Sequence, residues 1–147
     1  MKISTKTEYG VRVLLELALH QREGPVALRD IARRQELPLA YLERLIAPLV
    51  SAGIVRTKRG VRGGIYLVKE PGELKLSEVV QILEGSTAPL ECVDDPNACS
   101  RSNFCAARDL WREVKRAVDR VLTATTLQNL AERQKQKDEL KAAMYYI

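Results

Sequence analysis

The sequence predicts a mainly α-helical chain with one small β-hairpin, and three observations support this fold class. Apolar residues recur at helical spacing through most of the 147 residues. Two short β-rich runs, at residues 54–58 and 65–69, flank a glycine-rich segment that suits a hairpin turn. After residue 104 the apolar positions repeat in steps of three and four, as they do in helices that pair. This length is sufficient for one core of ordinary size.

The first predicted helix covers residues 5–20, and its apolar residues share one face that points to the core. Thr5 and Glu8 have the spacing of a capping box, in which the Glu8 carboxylate accepts a hydrogen bond from the Thr5 backbone N–H. His20, the sole histidine, ends the helix. We interpret it as a surface or capping residue rather than a metal ligand.

Two further helices predict a helix-turn-helix. Residues 28–34 form a short amphipathic helix, residues 36–38 form the turn, and a second helix runs from Pro38 to residue 52. Pro38 suits the first helical position because its missing N–H is not needed there. The buried stripe of the second helix is Leu42, Leu45, Ile46 and Leu49, and its outward side chains include Tyr41, Glu43 and Arg44.

The hairpin follows the helix pair directly, which is the order of elements in a winged helix-turn-helix. In that arrangement the second helix enters the major groove of DNA and the wing contacts the backbone or the minor groove. Glycines at the tip, residues 59–64, allow the backbone to approach phosphates closely. The cations on and beside the wing are Arg56, Lys58, Arg59 and Arg62. A solvated hairpin without a partner is the alternative.

Charge is distributed unevenly along the chain. The first 70 residues carry 13 Lys and Arg against 7 Asp and Glu, whereas the remaining 77 carry 11 against 12. A basic half joined to a near-neutral half favours a nucleic-acid partner for the first part. No apolar run reaches the length of a membrane span. A Ser/His/Asp set is also missing, so we do not expect an enzyme.

All three cysteines lie in the loop that follows a predicted helix at residues 75–84. Cys92, Cys99 and Cys105 stand among polar residues, whereas structural cysteines prefer apolar elements. Thiolates are soft ligands for iron or zinc, and these spacings let a flexible loop surround one metal centre. Reactive thiols and chance clustering are the alternatives. An odd cysteine count and the lack of a signal-peptide pattern favour a reducing, cytoplasmic compartment.

The last part of the chain predicts an interface between two copies. Its heptad seam consists of Ala107, Trp111, Val114, Val118 and Val121. Pairing through this long helix gives a homodimer that matches a palindromic operator. Burial against the same protomer is the alternative. Thr125 or Thr126 begins a final helix, which we expect to fade into the charged residues 134–141.

The predicted organisation therefore has three parts. Residues 1–84 form the winged helix-turn-helix DNA-binding domain, residues 85–105 the cysteine loop, and residues 105–147 the dimerisation and C-terminal helices.

Taken in order, these motifs resemble the IscR/NsrR/RsrR-type (Rrf-type) family of iron-sulfur winged-helix transcription regulators. The resemblance covers nearly the whole chain and rests on residues 2–9, Asp30-Ile31-Ala32, Tyr41-Leu42-Glu43, Arg59-Gly60, Gly63-Gly64, the three cysteines, Asp109-Leu110-Trp111 and Thr126-Leu127. It implies a homodimer that holds one 2Fe-2S or 4Fe-4S cluster per protomer on three cysteines and one further ligand. It also implies that Glu43 and Arg44 read bases, while Tyr41, Arg59 and Gly60 contact the backbone or the minor groove.

Two positions depart from the family pattern. Where the IscR branch has a histidine ligand, this chain has Arg108, which stays protonated and does not bind iron. The NsrR and RsrR branches imply a carboxylate from the partner protomer, which is Glu8 here; the capping role of Glu8 is the alternative. Ile65 stands where the family commonly has an aromatic residue, which questions how the wing packs.

The sequence thus predicts a homodimeric, DNA-binding transcriptional repressor that senses redox state, nitric oxide or iron-sulfur supply through a cluster. Two alternatives remain open. One is a DNA-binding repressor that uses the cysteines as a cluster-free thiol switch. The other is an iron-sulfur electron-transfer or carrier protein, which would leave the basic wing without a role.

Overall fold

Helices and one two-stranded hairpin account for the regular structure of residues 2–146, the part of the chain that the computed structural model describes. The predicted fold class is confirmed. The helices are α1 (Thr5–Leu19), α2 (Leu28–Gln35), α3 (Leu39–Ser51), α4 (Leu76–Glu84), α5 (Glu91–Asp94), α6 (Ala106–Ala124) and α7 (Leu127–Tyr145). The hairpin consists of β1 (Val55–Lys58) and β2 (Gly64–Leu67).

Helix α1 begins differently from the prediction. Ser4 is the N-cap, and its Oγ accepts a hydrogen bond from the Thr7 backbone N–H at 3.2 Å. The predicted capping box of Thr5 and Glu8 is therefore wrong by one residue. The Ser4 backbone N–H donates instead to the Glu84 carboxylate, at 3.2 Å. In a capping box, the acceptor for the N-cap backbone N–H is a side chain of the same helix. Here that acceptor is a carboxylate at the end of α4.

The core lies between α1, α2, α3, the hairpin and α4. The predicted stripe of α3 is buried at every position, from 0% exposed for Leu42 to 5% for Ile46. Helix α1 crosses α4 at Gly10, where an added Cβ would lie 2.2 Å from Leu83 Cδ1. Glu36 has φ 54° and gives the helix-turn-helix its turn, while Pro38 is the N-cap of α3, one residue before the position predicted for it.

The hairpin packs on the core through an aliphatic residue. Strand β1 pairs antiparallel with β2, from Val55 opposite Leu67 to Lys58 opposite Gly64. Ile65 is 4% exposed and exchanges backbone hydrogen bonds with Val26, each 2.9 Å long. Ile65 therefore anchors the wing at the position where an aromatic residue was expected.

The C-terminal helix returns to the N-terminal half of the chain. Thr126 and Asn129 form a capping box that starts α7. Leu127 is fully buried in the core, and its backbone N–H donates to the Leu74 carbonyl at 2.9 Å. The expectation that this helix fades at residues 134–141 is wrong, because α7 continues to Tyr145.

Helix α6 buries none of its residues within the protomer, although it contacts α4 and α5. Trp111 is 36% exposed and Val121 is 66% exposed. The seam predicted for dimerisation is thus only partly covered by the chain itself. None of the described helices is long and apolar enough to cross a membrane.

Candidate nucleic-acid interface and cysteine segment

The outward face of α3 is held in place by aromatic contacts with α1. Tyr41 packs edge-to-face on Tyr9, with ring centroids 5.5 Å apart and an interplanar angle of 86°. The Arg44 guanidinium lies over the Tyr41 ring, 5.9 Å from its centroid. Glu43 and Arg44 are exposed, as residues that read bases must be. The structure therefore brings Tyr41 and Arg44 together on one surface of α3, the second helix of the helix-turn-helix.

A polar network connects α1 to the turn before α3. The Arg12 Nε donates to Gln35 Oε1 at 2.9 Å, and a second guanidinium nitrogen donates to the Gln35 carbonyl. The Gln35 side-chain amide then donates to the Glu16 carboxylate at 2.6 Å. Glu16 is 6% exposed, so its carboxylate needs these donors. The network fixes the end of α2 and hence the direction in which α3 leaves the turn.

Sequence reasoning did not find Arg12, Gln35 or Glu16. Glu8 forms an ion pair with Arg12 at 3.8 Å on the solvent side of the network, and its side chain is 59% exposed. The partners of Arg12 and Glu16 lie 23 and 19 residues away along the chain. The spacing of residues within one helix does not predict hydrogen bonds between side chains so far apart in the sequence.

The wing presents its cations to solvent. Among the described residues, the four wing cations enter no ion pair with an acidic group, and all are exposed: Arg56, Lys58, Arg59 and Arg62. Gly60 has φ 113°, in the region that favours glycine, so a side chain here would strain the turn. In the described part of the chain, no hydrogen bond joins the wing to Tyr41 or Arg44. The wing and α3 thus form separate basic elements.

The cysteine segment, residues 85–105, is built from short turns. Cys92 lies in α5 and is half-buried, Cys99 is exposed, and Cys105 is the half-buried N-cap of α6. All three are free thiols. Between residues 2 and 146, no three Cys, His, Asp or Glu side chains are gathered closely enough to form a metal site. The predicted ligands therefore share one segment without converging on one point.

Arg108 ties the two ends of this segment to α6. Its Nε donates to the Cys92 carbonyl at 2.6 Å, and its Nη1 donates to the Ser102 carbonyl at 3.4 Å. Ser102 is 5% exposed, and its Oγ has no hydrogen-bond partner in the described structure. Arg108 thus holds the Cys92 and Ser102 carbonyls together, and we call this pair of hydrogen bonds the clamp. The IscR branch of the family implies a histidine ligand of the cluster at the same position.

A second contact fastens the start of the segment to α6. The Thr87 hydroxyl donates to Asp119 Oδ1 and Lys115 Nζ donates to Asp119 Oδ2, each at 2.6 Å. Burial raises the pKa of Asp119, but the hydrogen bonds from Lys115 and Thr87 outweigh it, and the pKa lies below its ordinary value of 3.8. Asp119 therefore stays ionised and holds both donors at neutral pH.

The donor chemistry of the segment fits an iron-sulfur cluster. Three thiols, none in a disulfide, are soft donors, and each is at least partly accessible. A fourth donor is not gathered with them in the described protomer. The Glu8 carboxylate, the predicted fourth donor, is exposed and paired with Arg12.

A helix-turn-helix followed by a basic wing defines the class, a winged-helix DNA-binding regulator. The chain belongs to the Rrf2 family of transcriptional regulators, because that family's profile, described as an iron-dependent transcriptional regulator, matches residues 3–133. The resemblance seen in the sequence is confirmed. The chain is therefore a regulator of transcription and not an enzyme, as predicted.

Individual relatives support the same assignment. The transcriptional regulator CymR of Bacillus subtilis is 40% identical over 147 residues, 100% of both chains. The structure of CymR, the global cysteine regulator of B. subtilis, has a TM-score of 0.78 and 39% identity, covering 90% of this chain and 98% of that one.

Two further solved structures are similar. IscR of T. potens has a TM-score of 0.77 and 35% identity over 93% of this chain and 90% of that one. The oxidized form of Staphylococcus aureus CymR has a TM-score of 0.74 and 36% identity over 90% and 97%. The chain thus resembles CymR of B. subtilis and IscR of T. potens about equally in fold, while its sequence identity to CymR is the higher of the two.

Proposed function

We propose that this chain is a homodimeric repressor whose affinity for a palindromic operator depends on an iron-sulfur cluster, 2Fe-2S or 4Fe-4S, held by Cys92, Cys99 and Cys105. The observation that carries the proposal is the free state and accessibility of three thiols on one segment that is fastened to α6. Three thiols in such a loop have no role in the core, since none of them belongs to the core cluster. The family description as iron-dependent agrees with this assignment.

The DNA-binding domain, residues 1–84, supplies the operator contacts. Glu43 and Arg44 read base edges from α3, where both are exposed. Tyr41 and the wing residues Arg56, Lys58, Arg59, Gly60 and Arg62 contact the backbone or the minor groove. Several cations that neutralise phosphates make the affinity steeply dependent on salt.

Dimerisation uses the seam of α6. Its residues Trp111, Val114, Val118 and Val121 are half-buried or exposed in one protomer, and a second copy covers them. Isologous pairing of two such helices places two copies of α3 about a two-fold axis, as a palindromic operator requires. The cysteine segment, which contacts α6, therefore lies beside the element that sets the separation of the two recognition helices.

A bound cluster would supply a centre that reacts with oxidants or nitric oxide. The chain's own residues carry the consequence, because Cys92, Cys99 and Cys105 must leave their present separate turns in order to share one centre. Arg108 donates hydrogen bonds to two carbonyls of this segment. When the cysteines move together, at least one of these two hydrogen bonds must break or be replaced. Glu8 of the partner protomer is the proposed fourth ligand, at the expense of its ion pair with Arg12.

A cluster-free thiol switch is the second candidate. Two observations favour it: Cys99 is exposed and free, and the S. aureus relative has been solved in an oxidized form. A peroxide-type oxidant converts an exposed thiolate to a sulfenic acid, and a second thiol then displaces water from that sulfur to form a mixed or intersubunit disulfide. The DNA-binding surface is the same in both candidates.

Purification without oxygen distinguishes the two candidates. We expect a brown protein with a visible absorption band and stoichiometric iron and sulfide, and we expect Cys99→Ala to lose the colour while the dimer stays folded. Glu8→Gln, with Glu23→Gln as a matched control, tests the fourth ligand by a shift in the spectrum. A colourless wild type that resists reconstitution and changes its DNA affinity on oxidation would establish the thiol switch instead.

A further inference from the structure

We infer that Lys6 and Arg44 form a binding site for one DNA backbone phosphate beside the recognition helix, with Tyr41 as its wall. The inference rests on the proposed DNA binding and deepens it, because Lys6 belongs to α1 and not to the helix-turn-helix or the wing. The site is a cleft of about 240 Å³ lined by Lys6, Tyr41, Arg44 and Leu45.

The composition of the cleft suits a phosphodiester. Its two charged residues are both cations, and its other lining residues are neutral. In the described structure neither Lys6 nor Arg44 takes part in an ion pair or a side-chain hydrogen bond, so neither charge is neutralised by a specific partner. A phosphate accepts hydrogen bonds from an ammonium and a guanidinium at once. The Tyr41 hydroxyl is a further donor.

Arg44 is held ready for this contact before DNA arrives. Its guanidinium lies over the Tyr41 ring at 5.9 Å, and Tyr41 in turn packs on Tyr9 of α1. The floor of the cleft is Leu45, which is 3% exposed and fixed in the core. Ordering the arginine in advance reduces the entropy that binding must remove.

Lys6 reaches the cleft from the first turn of α1. The start of α1 is fixed because the Glu84 carboxylate accepts hydrogen bonds from the Ser4 and Thr7 hydroxyls. Hydrogen bonds from Ser4 and Thr7, and to a lesser extent the charge of Lys6, hold the pKa of Glu84 below its ordinary value. Within the described residues the Lys6 ammonium group forms no ion pair or hydrogen bond of its own, so it remains available to an outside anion.

A phosphate in this cleft touches α1 and α3 together. Base contacts from α3 depend on how the helix is placed in the major groove, and phosphate contacts set that placement. The site therefore fixes the register of Glu43 on the operator. The Arg44 guanidinium has five N–H donors, and it binds the phosphate with some of them and keeps others for a base edge. The phosphate contact raises the affinity for DNA of any base sequence. It affects specificity only because it places α3 in the major groove.

The test compares Lys6→Gln with Lys135→Gln in the full chain purified without oxygen. Lys135 is exposed on α7 and has no ion pair in the described residues, so both variants lose one charge per protomer. The probe is a duplex of roughly 30 bp selected from a random library by the wild-type protein. We expect Lys6→Gln to weaken binding roughly five- to tenfold near 0.15 M salt, and to lower the salt slope by roughly one per protomer. Lys135→Gln should do neither.

Single methylphosphonates, which remove the charge of one phosphate at a time, locate the contact. At one position in each half-site the wild type should lose affinity while Lys6→Gln loses no more, because the phosphate and the lysine act as a pair. Lys6→Arg should retain binding, and an unchanged circular dichroism melt of Lys6→Gln should show that the fold is intact. Inorganic phosphate at millimolar concentration should leave the difference between the two variants unchanged, since the site needs the DNA backbone.

The outcomes separate this inference from the proposed function. If the wild type binds the duplex with a steep salt slope and Lys6→Gln matches Lys135→Gln, the phosphate site is wrong and the DNA-binding regulator stands. The inference is also wrong if both variants lose the same amount of affinity at every methylphosphonate position. If the wild type selects no duplex from the library, both conclusions are wrong.

Discussion

Glu84 accepts a hydrogen bond from the Ser4 hydroxyl at 2.6 Å, across 80 residues of sequence. The same carboxylate accepts from the Ser4 backbone N–H and the Thr7 hydroxyl, so the last residue of α4 caps the first turn of α1. Gly85 follows at once and begins the cysteine segment. The start of that segment and the start of α1 are therefore joined by one carboxylate.

Glu84→Gln should lower the stability of the chain in a manner that depends on pH. Hydrogen bonds from Ser4 and then Thr7 hold the pKa of Glu84 below its ordinary value of 4.5. A depressed folded-state pKa stabilises the fold above the unfolded value, and this contribution is lost as the pH falls through the folded value. We expect a loss of about 1 kcal/mol at neutral pH, measured by urea unfolding.

The difference between wild type and Glu84→Gln should then shrink as the pH falls below 4.5, where the wild-type carboxylate becomes protonated. Glu73→Gln, at an exposed position, provides a matched control with little effect. A difference that stays constant down to acid pH would mean that the charge of Glu84 is not what stabilises the cap.

Arg108→Ala should loosen the cysteine segment without unfolding the core. The variant removes the hydrogen bonds to the Cys92 and Ser102 carbonyls, the two points that the clamp holds. Hydrogen exchange in residues 91–104 should speed up, while exchange in α1 and α4 stays unchanged. Arg112→Ala is the control, because within residues 2–146 Arg112 forms an ion pair with Asp109 of its own helix and no other. Equal exchange in both variants would contradict the clamp.

Val121→Glu should separate the proposed dimer. Val121 is 66% exposed in the protomer, so a charge there leaves the folded monomer intact but faces an apolar seam in the dimer. Analytical ultracentrifugation should show a monomer at concentrations where the wild type is dimeric. Leu140→Glu, at an apolar position of α7 that is 65% exposed, should stay dimeric.

Trp111 offers an independent measure of the same interface. It is the sole tryptophan and is 36% exposed in one protomer. Burial in the seam should shift its emission to shorter wavelength, and dilution of the wild type should reverse that shift. Emission that does not depend on concentration, in a protein that sediments as a dimer, would place the interface elsewhere.

Arg59→Ala should weaken DNA binding and lower the salt slope by roughly one per protomer, because a phosphate contact is lost. Arg120→Ala, an exposed cation on α6, is the matched control. Fluorescence anisotropy across a series of salt concentrations measures both slopes. Equal slopes for the two variants would remove the wing from the DNA-binding surface.

Local patterns sufficed for much of this fold. Apolar spacing found the buried stripe of α3, and the glycines at the tip located the hairpin. The same patterns missed the cap of α1, because its carboxylate arrives from Glu84, and they missed the full length of α7, which lacks a continuous apolar face beyond Ala131. Contacts between residues distant in sequence produce no periodic pattern. The sequence therefore did not predict that Lys6 and Arg44 line one cleft.

The return of α7 to the core gives the chain an unusual topology. Leu127 and Leu76 donate to the Leu74 and Thr125 carbonyls, so the chain that leaves the core after α4 returns to it beside the first residue of α4. The cysteine segment and α6 therefore lie in one excursion of the chain between α4 and α7. The entropy of closing such a loop grows only slowly with its length. A change in the length or sequence of residues 85–124 should therefore cost the core little free energy and leave α3 and the wing in place.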